Sequence, residues 1–479
     1  MFESSVPFAL FDYFRVPYER VPRPAGLDAP AETVAAHREA RLMWPTQASL
    51  GSEGRAARPH FLGSVPIFGR VMGDTQLREQ VRRAGGSWTT TDAVRDERGM
   101  LVSAVWRADD GSAFLPFDPN ELISNFWGER YLELSRPIPA RVMSLARRGY
   151  YPVRPLLPRG LQLSLRRSFT RVQSRSRFPR WPVEPALHDL YRFLLDIVAD
   201  VAGGPVPHIA VWPRGWSWAL VLTHDVEGKT GYANLRRLLQ VELDAGYRSS
   251  WNFVPRNGYE VEIDLVDDLR SRGFEIGVHG LYHDGRDLSS PAMLRRRLPL
   301  MRAYAERWQA KGFRSPATHR SAKLMPLLGF DYDSSYSDTA PYEPQAGGCC
   351  TWLPYMIEDL VELPMTLTQD HTLYELLGHR DETNWVEKAR FLRHRGGMAL
   401  ILTHPDYIGN PHLLNSYRRF LEEFAADSTA WKALPGEVSS WWRRRSKSTL
   451  EQIDGEWRII GPARDEAELE FASAQPLRA

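Results

Sequence analysis

Two carboxylates stand close together at the end of one apolar stretch of the sequence. Residues 219–222 form a continuous apolar run, and Asp225 and Glu227 follow it within five positions. Such a run is typical of a strand that is buried on both faces. In extended backbone, side chains two residues apart point to the same side. The two carboxylates would then repel each other unless a cation or a shared proton lies between them, which indicates a metal-assisted hydrolase.

Two histidines four residues apart, His279 and His283, offer further metal ligands. The spacing alone is a weak signal, because the chain contains 13 histidines and such pairs arise by chance. On one helical turn, or at a corner between a strand and a helix, both rings can converge on a single ion. Two histidines and one carboxylate would leave a position open for water or substrate, which a catalytic metal requires.

The elements that would hold these residues alternate between strands and helices from about residue 206 onward. The predicted strands lie at 220–222, 251–254, 275–279, 359–363 and 398–404, and the predicted helices at 234–245, 263–272, within 291–310 and at 321–328. Repeating βα units predict a parallel sheet, open or closed into a barrel, with the active site at the carboxyl ends of the strands. Arg314-Ser-Pro316 and Thr403-His404-Pro-Asp406 also fall at predicted strand ends. This coincidence is stronger evidence for a single site than any one motif.

As a set, these residues resemble the polysaccharide deacetylases of carbohydrate esterase family 4, the NodB-homology fold. The segment 223–227 (Thr-His-Asp-Val-Glu) matches the family's first motif loosely, in the form of a divergent Thr-His-Asp-Val-Asp/Glu subgroup. His279–His283 matches the second motif, Arg314-Ser-Pro316 the third and Leu402-Thr-His404 the fifth. The resemblance covers about residues 206–425. It implies an α/β protein with a distorted (β/α) barrel, behind an additional N-terminal α/β domain of the kind that divergent members often carry.

The resemblance also implies a role for each residue of the set. The metal ligands would be Glu227, His279 and His283. Asp225 would be the general base for the attacking water, and Arg314 would keep its carboxylate ionised. His404 would be the general acid that protonates the leaving amine. The metal and the backbone N–H groups around Ala317 would stabilise the oxyanion.

Three assignments stay open at this point. Asp225 could be the carboxylate ligand, with Glu227 outside the coordination sphere. The family's fourth motif has no clean match, so Asp338 or Asp370 could partner His404. His224, which lies between the first-motif residues, is predicted to be structural rather than a ligand.

The predicted reaction is the metal-dependent hydrolysis of an N-acetyl group on an amino sugar, in a polysaccharide or in a lipid-linked or nucleotide-linked glycan. Zinc is the expected metal, with cobalt or nickel as alternatives. Two other functions are compatible with the sequence. One is hydrolysis of a small non-peptide amide, such as a cyclic ureide, on the same fold. The other is a non-catalytic glycan-binding relative, in which Val226 and Glu227 record lost activity.

Outside the barrel, the sequence predicts three further segments. Residues 1–135 read as an α/β domain of unknown role, with a helix at Ala31–Arg41, and residues 136–205 as an arginine-rich linker with a helix at 184–201. Residues 426–479 read as a helical segment and a tail that ends in an acidic, helix-like stretch. The arginine-rich stretch could touch anionic lipid head groups or an acidic glycan, although a solvated face of a linker helix is the more ordinary interpretation.

The composition limits the partners and the compartment. Of 479 residues, 43% are hydrophobic and 25% charged, as in an ordinary globular protein, and the net charge of +2 argues neither for nor against a polyanionic partner. The family resemblance implies a carbohydrate substrate, and no nucleic-acid partner is expected. The two cysteines, Cys349 and Cys350, are adjacent and fit a reducing compartment. The N-terminus does not resemble a signal peptide and no apolar window is long enough for a membrane span, so a cytoplasmic location is predicted.

Overall fold

A computed structural model describes residues 2–21, 31–35, 40–45, 59–134 and 178–472. The chain divides into two compact units. Unit 1 comprises residues 1–140, 185–214 and 444–479, and unit 2 comprises residues 141–184 and 215–443. These bounds differ from the predicted linear segments at 1–135, 136–205, 206–425 and 426–479. The predicted linker helix and the end of the chain belong to unit 1, because both pack with the N-terminal residues.

The strands, in chain order, are β1 Phe2–Ser4, β2 Tyr18–Arg20, β3 Ala31–Ala35, β4 Arg41–Pro45, β5 His60–Leu62, β6 Val65–Ile67, β7 Trp88–Arg95, β8 Leu101–Ala108, β9 Ala113–Phe114, β10 Val206–Ile209, β11 Trp218–Val226, β12 Ser250–Phe253, β13 Glu275–Val278, β14 Gly312–Phe313, β15 Tyr332–Asp333, β16 Tyr355–Ile357, β17 Leu360–Glu362, β18 Met398–Thr403, β19 Ala430–Lys432, β20 Thr449–Ile453, β21 Glu456–Ile460 and β22 Leu469–Ala472. The α-helices are α1 Ala9–Phe14, α2 Asp74–Ala84, α3 Pro119–Trp127, α4 Tyr131–Leu134, α5 Ala186–Ala202, α6 Lys229–Ala245, α7 Ile263–Ser271, α8 Pro291–Trp308, α9 Thr383–His394, α10 Leu413–Phe424 and α11 Pro435–Ser446.

Unit 1 contains a sheet in the order β2-β1-β3-β4-β9-β8-β7-β5-β6, together with helix α5. Helix α5 buries Leu187, Leu190, Leu194 and Ile197, the apolar side that its sequence predicts, and it contacts β4 and β6. A second cluster joins α2 to β8 through Leu77, Val81 and Trp106. Unit 1 is thus the additional α/β domain that the sequence predicts.

Two predicted elements of unit 1 are wrong. The helix predicted at Ala31–Arg41 is a strand over Ala31–Ala35 that pairs antiparallel with β4, with Thr33 opposite Met43. The acidic helix-like end instead contains β22, which pairs antiparallel with β10. β3 pairs with the neighbouring β4 and β22 with the distant β10, and in both cases the paired strand supplies a full row of backbone partners that overrides the local preference of alanine and glutamate for helix.

Unit 2 is built around β11. Its sheet runs in the order β16-β17-β15-β14-β13-β12-β11-β18, and every pair is parallel except β16 with β17. All nine residues of β11 are buried, since it lies between β12 and β18 and is covered on both faces. The sequence pattern of apolar strands and amphipathic helices therefore correctly predicts a parallel α/β architecture.

The sheet closes into a barrel through an irregular segment, residues 365–367, rather than through a regular strand. The backbone N–H of Met365 donates to the carbonyl of Tyr336, and that of Leu367 donates to the carbonyl of Leu400 in β18. The hydroxyl of Thr366 donates to the Met398 carbonyl at 2.7 Å and accepts the Leu400 N–H at 2.8 Å. The predicted distorted (β/α) barrel is confirmed, and the distortion lies between β17 and β18.

The predicted arginine-rich contact surface lies largely outside the described residues, which include the 136–205 segment only from residue 178 onward. Among the helices of the described ranges, none combines the length and the apolar character that crossing a bilayer requires.

Candidate metal centre and acid–base site

The polar side chains at the end of β11 lie in two different environments. His224 points away from the other predicted site residues: its Nδ1 lies 2.8 Å from the Thr403 hydroxyl and its Nε2 lies 2.7 Å from Glu242. Both ring nitrogens are therefore engaged in a buried structural network, as the sequence predicts for His224. Asp225, the next residue, points to the opposite side of the strand, where the other candidate residues gather.

Three of those residues form a potential ligand set. Glu227, His279 and His283 each offer one ligand atom, and these atoms lie within 4.8 Å of one another. Nε2 of His283 is 2.9 Å from Oε1 of Glu227. Glu227 follows β11 directly, and the histidines follow β13, two strands away in the sheet. The parallel arrangement thus brings together residues that are about fifty positions apart, at the carboxyl edge where the sequence predicts them.

His279 has the features of a metal ligand. Its Nδ1 donates to the backbone carbonyl of Arg314 at 3.0 Å, which leaves Nε2 as the acceptor nitrogen. The residue is only 2% exposed, yet Nε2 has no hydrogen-bond partner among the described residues. Burial is the main reason that its pKa falls to about 4, against the opposing charge of Asp225. A neutral, oriented imidazole with an unpartnered buried nitrogen fits a divalent cation.

A buried arginine fixes the loop that carries His283. The Arg297 guanidinium, on α8, bonds Asp284 at 2.6 and 2.7 Å and Asp287 at 2.8 Å. Asp287 also accepts the backbone N–H of Leu281 at 3.2 Å. The loop between β13 and α8 is therefore tied to the helix on both sides of His283, which limits how far its ring can move.

Asp225 is held as an ionised carboxylate. Its Oδ1 accepts hydrogen bonds from Asn252 at 2.8 Å and from Arg314 at 3.1 Å, and its Oδ2 lies 3.5 Å from Nδ1 of His279. Burial by itself would raise the pKa of Asp225, but the Arg314 guanidinium, with smaller contributions from His279, His404 and the Asn252 hydrogen bond, outweighs it and lowers the pKa below the ordinary value. Asp225 is thus equipped to accept a proton, while Glu227 is the carboxylate grouped with both histidines.

Arg314 is placed to orient Asp225, as predicted. It is 1% exposed, and all its bonds are local to the site: Nε donates to the Ser334 carbonyl, one terminal nitrogen to the Ser334 hydroxyl, and the other to Thr223 and Asp225. Because these bonds use the planar fork of the guanidinium from several directions, a lysine could not replace it.

His404 lies beside the ligand set, with its Nε2 3.8 Å from Glu227, and pairs with Asp370. Its Nδ1 is 2.6 Å from Asp370, whose second oxygen accepts the His404 backbone N–H at 2.6 Å. Burial opposes protonation, but the Asp370 carboxylate outweighs it, with help from Glu227 and Asp225, and raises the pKa of His404 to about 10. Asp338, the other predicted partner, pairs instead with Lys388 at 2.8 Å. The structure thus selects Asp370 from the two candidates.

Glu227 is surrounded by donors. Its Oε2 accepts the Tyr407 hydroxyl at 3.0 Å, and its backbone N–H donates to Asp406 at 2.9 Å. Burial favours the neutral carboxyl, but His283 opposes it by charge and hydrogen bonding, and the net effect lowers the pKa of Glu227 well below its ordinary range. Glu227 is therefore negatively charged, which suits a carboxylate grouped with two histidines to the binding of a cation.

Sequence reasoning missed Asn252 and the support that Tyr407 and Asp406 give to Glu227. Asn252 could have been found from the strand register, because it lies opposite Asp225 in the pairing of β11 with β12. Gly277 on the adjacent strand leaves room for it: a Cβ there would lie 1.9 Å from the Asn252 side-chain oxygen. Tyr407 and Asp406 follow His404 closely, but nothing in their spacing points to Glu227.

The backbone after Arg314 is strained. Ala317 and Thr318 both have positive φ values, 57° and 52°, although neither is glycine. Such conformations cost about 1–3 kcal/mol each and cluster at functional sites. The strain lies at the position where the family resemblance predicts N–H donors to an oxyanion.

No family model and no curated protein matches the chain. Solved structures do match, over about half of it. A protein from Mycobacterium smegmatis named as a polysaccharide deacetylase is 20% identical, with 49% of this chain and 93% of that chain covered and a TM-score of 0.39. Another, from Pseudomonas aeruginosa PAO1, is 17% identical (51% and 97% covered, TM-score 0.40), and an allantoinase is 16% identical (48% and 92%, TM-score 0.38). Polysaccharide deacetylases, the family that the motifs resemble, are thus among the matched structures.

Proposed function

We propose that unit 2 is a metal-dependent deacetylase that hydrolyses the N-acetyl group of an amino sugar, in a polysaccharide or in a lipid-linked or nucleotide-linked glycan. One observation carries the proposal. The ligand set of Glu227, His279 and His283 has an ionised carboxylate, Asp225, 3.5 Å from His279 and a protonated imidazole, His404, 3.8 Å from Glu227. A base and an acid that both border one metal site are what amide hydrolysis needs.

The ligand set fits a divalent cation, with zinc as the first choice and cobalt or nickel as alternatives. When bound, such a cation supplies Lewis acidity and makes water a stronger nucleophile near neutral pH. The strongest support for a bound cation is Nε2 of buried His279, which has no hydrogen-bond partner within the described ranges.

Asp225 is the proposed general base. Arg314 and Asn252 both bond its Oδ1, so Oδ2 is the oxygen left to accept a proton from the attacking water. The lowered pKa of Asp225 keeps it unprotonated at neutral pH. The water oxygen attacks the acetyl carbon, and the N–H group of Ala317 is a candidate donor to the oxygen that then becomes negative.

His404 is the proposed general acid. Asp370 engages Nδ1, so the proton on Nε2 faces the ligand set, where Nε2 lies 3.8 Å from Glu227. With a pKa of about 10, His404 is protonated at neutral pH and can give its Nε2 proton to the leaving nitrogen as the C–N bond breaks. The products are acetate and a free amino sugar.

The same acid–base pair would serve a small cyclic amide. An allantoinase is among the matched structures, so a cyclic ureide is the second candidate substrate. Purified full-length protein, loaded with zinc, should release acetate from N-acetylated oligosaccharides and leave ureides intact. Hydrolysis of a ureide with no release of acetate would reverse that choice.

The test of the mechanism is a pair of substitutions, Asp225→Asn and His404→Asn. Each should lower the rate of acetate release by on the order of a hundredfold or more, because each removes one proton transfer. Asp359→Asn changes an exposed carboxylate elsewhere in unit 2 and should leave the rate unchanged. Full activity in both site variants would refute the proposed roles.

A further inference from the structure

Glu227 is a flexible ligand in a site that otherwise has little freedom. Its side chain is half-buried and rotates about three bonds, whereas the imidazole of His279 is fixed by its bond to the Arg314 carbonyl. If such a side chain is not already held near its coordinating geometry, the free-energy cost of ordering it weakens metal binding. The surroundings of Glu227 indicate how it is held.

We propose that Tyr407 is a positioning residue that fixes the side chain of Glu227 as a metal ligand, while Asp406 fixes the backbone beneath it. The inference rests on the metal site of the proposed function, and adds to it two residues outside the ligand and acid–base sets.

The two oxygens of Glu227 have separate partners. Oε2 accepts the Tyr407 hydroxyl at 3.0 Å. Oε1 faces the ligand set, 2.9 Å from Nε2 of His283 and 3.8 Å from Nε2 of His404. The hydroxyl thereby turns the carboxylate so that one oxygen is engaged and the other is presented to the cation. A partner of this kind typically changes metal affinity by about 10- to 100-fold.

Tyr407 is itself fixed on several sides. Its ring packs against His371, with centroids 5.1 Å apart, and against His404, with centroids 5.3 Å apart. Its backbone N–H donates to the His404 carbonyl at 3.1 Å. A hydroxyl on so constrained a ring can direct Glu227 without itself losing much freedom when it does so.

Asp406 acts on the other end of the residue. One of its oxygens accepts the backbone N–H of Glu227 at 2.9 Å, and the other accepts that of Gly231, in the first turn of α6, at 3.0 Å. A Cβ at position 231 would lie only 2.0 Å from the Asp406 carboxylate, so glycine is required there. Asp406 therefore links the backbone at Glu227, just after β11, to the first turn of α6.

A titration of the full-length protein with Zn²⁺, after removal of bound metal with a chelator, tests the role of Tyr407. Tyr407→Phe removes only the hydroxyl and should weaken the Zn²⁺ affinity by about 10- to 100-fold. Tyr247→Phe is the matched control, because it also removes a buried hydroxyl bond, to the Leu421 carbonyl, but away from the ligand set. That control should bind Zn²⁺ as the wild type does.

A double-mutant cycle with Glu227→Asp separates positioning from a general structural effect. The shorter aspartate reaches less far toward Tyr407, so Tyr407→Phe should change Zn²⁺ affinity by less than about threefold in that background. An equal loss in both backgrounds would show that Tyr407 does not act through Glu227. Unchanged affinity of Tyr407→Phe in the wild-type background would also overturn the proposal.

The outcomes keep this inference apart from the proposed reaction. A coupled loss of Zn²⁺ affinity without any acetate release by the wild type would support the positioning role and overturn the deacetylase. Acetate release together with unchanged Zn²⁺ affinity in Tyr407→Phe would do the reverse. A wild type that binds no Zn²⁺ would overturn both.

Discussion

The two ends of strand β13 carry buried ionisable groups with opposite characters. At the amino end, Glu275 accepts the Tyr332 hydroxyl at 2.6 Å and the Gly436 backbone N–H at 3.0 Å. Just beyond the carboxyl end, four residues on, His279 leaves one ring nitrogen without a partner among the described residues. The first group completes a structural network, and the second is incomplete without a ligand.

The carboxylates near the two ends, Glu275 at one and Asp225 and Glu227 beside the other, also differ in pKa. Burial raises the pKa of Glu275 to about 7, and its hydrogen bonds and Lys311 reverse this only in part. Near the other end, the Arg314 guanidinium lowers the pKa of Asp225 despite burial, and the charge and hydrogen bond of His283 lower that of Glu227. Burial thus raises the pKa of a carboxyl group whose partners do not outweigh it, and the groups around Asp225 and Glu227 reverse that effect.

The largest effect is expected from His279→Ala, just beyond the carboxyl end of β13. This variant should lose bound Zn²⁺ and lower acetate release by on the order of a thousandfold, because the ion supplies several kcal/mol of transition-state stabilisation. Metal analysis after purification and an acetate assay would measure both effects.

In the presence of a chelator, His279→Ala should lower the free energy of unfolding in urea by about 1–3 kcal/mol, because the buried Arg314 carbonyl loses the hydrogen bond from Nδ1. His394→Ala, an exposed histidine at the end of α9, is the control and should retain metal and activity. Metal retained at the wild-type level in His279→Ala would contradict the assigned ligand set.

A smaller effect is expected at the opposite end, in the pH dependence of stability. The pKa of Glu275 is raised from 4.5 to about 7, so between these values the folded protein binds a proton that the unfolded chain releases. The stability that this proton contributes is fully present below pH 4.5 and is lost as the pH rises to 7. The loss amounts to about 3 kcal/mol.

Glu275→Gln cannot titrate, so urea unfolding at a series of pH values should show the wild type losing about 3 kcal/mol relative to it between pH 4.5 and 7.5. Glu306→Gln, an exposed substitution on α8, should follow the wild-type curve. Parallel curves for the wild type and Glu275→Gln would mean that Glu275 has an ordinary pKa.

The smallest effect is expected from a second substitution at the amino end of β13, beside Glu275. Tyr332→Phe removes one hydrogen bond to Glu275 and should lower the free energy of unfolding by about 1 kcal/mol near neutral pH. Because the Tyr332 bond lowers the pKa of Glu275, its loss should move the pH transition upward. The Zn²⁺ affinity of Tyr332→Phe should equal that of the wild type. A weaker affinity would show that the two ends of β13 are coupled.

Much of the site could be predicted because its motifs are local. His279 and His283 are four positions apart, Asp225 and Glu227 are two, and each pair needs only the geometry of one strand end or one turn to face a common point. The buried run of β11 and the alternation of strands and helices then placed these motifs on one edge of a parallel sheet.

Supporting residues were harder to predict because they depend on pairing between distant segments. Asn252 reaches Asp225 only through the register of β12 on β11, and Asp370 reaches His404 through the irregular closure of the barrel. From the sequence, Asp338 is as good a partner for His404, and its bond to Lys388 is visible only in the fold. The helix predicted at Ala31–Arg41 is wrong for a partly similar reason, since Ala31–Ala35 pairs with β1 far back in the chain as well as with the neighbouring β4.

The sequence by itself determined the parallel α/β class and the chemical identity of the candidate residues, because apolar periodicity and motif spacing are properties of neighbouring positions. Only the tertiary structure decided that Glu227 joins the histidines, that Asp370 holds His404 and that Tyr407 turns one oxygen of Glu227 toward them. Those choices rest on contacts between residues up to 180 positions apart, and the energies that fix them arise only when the barrel brings both partners out of water together.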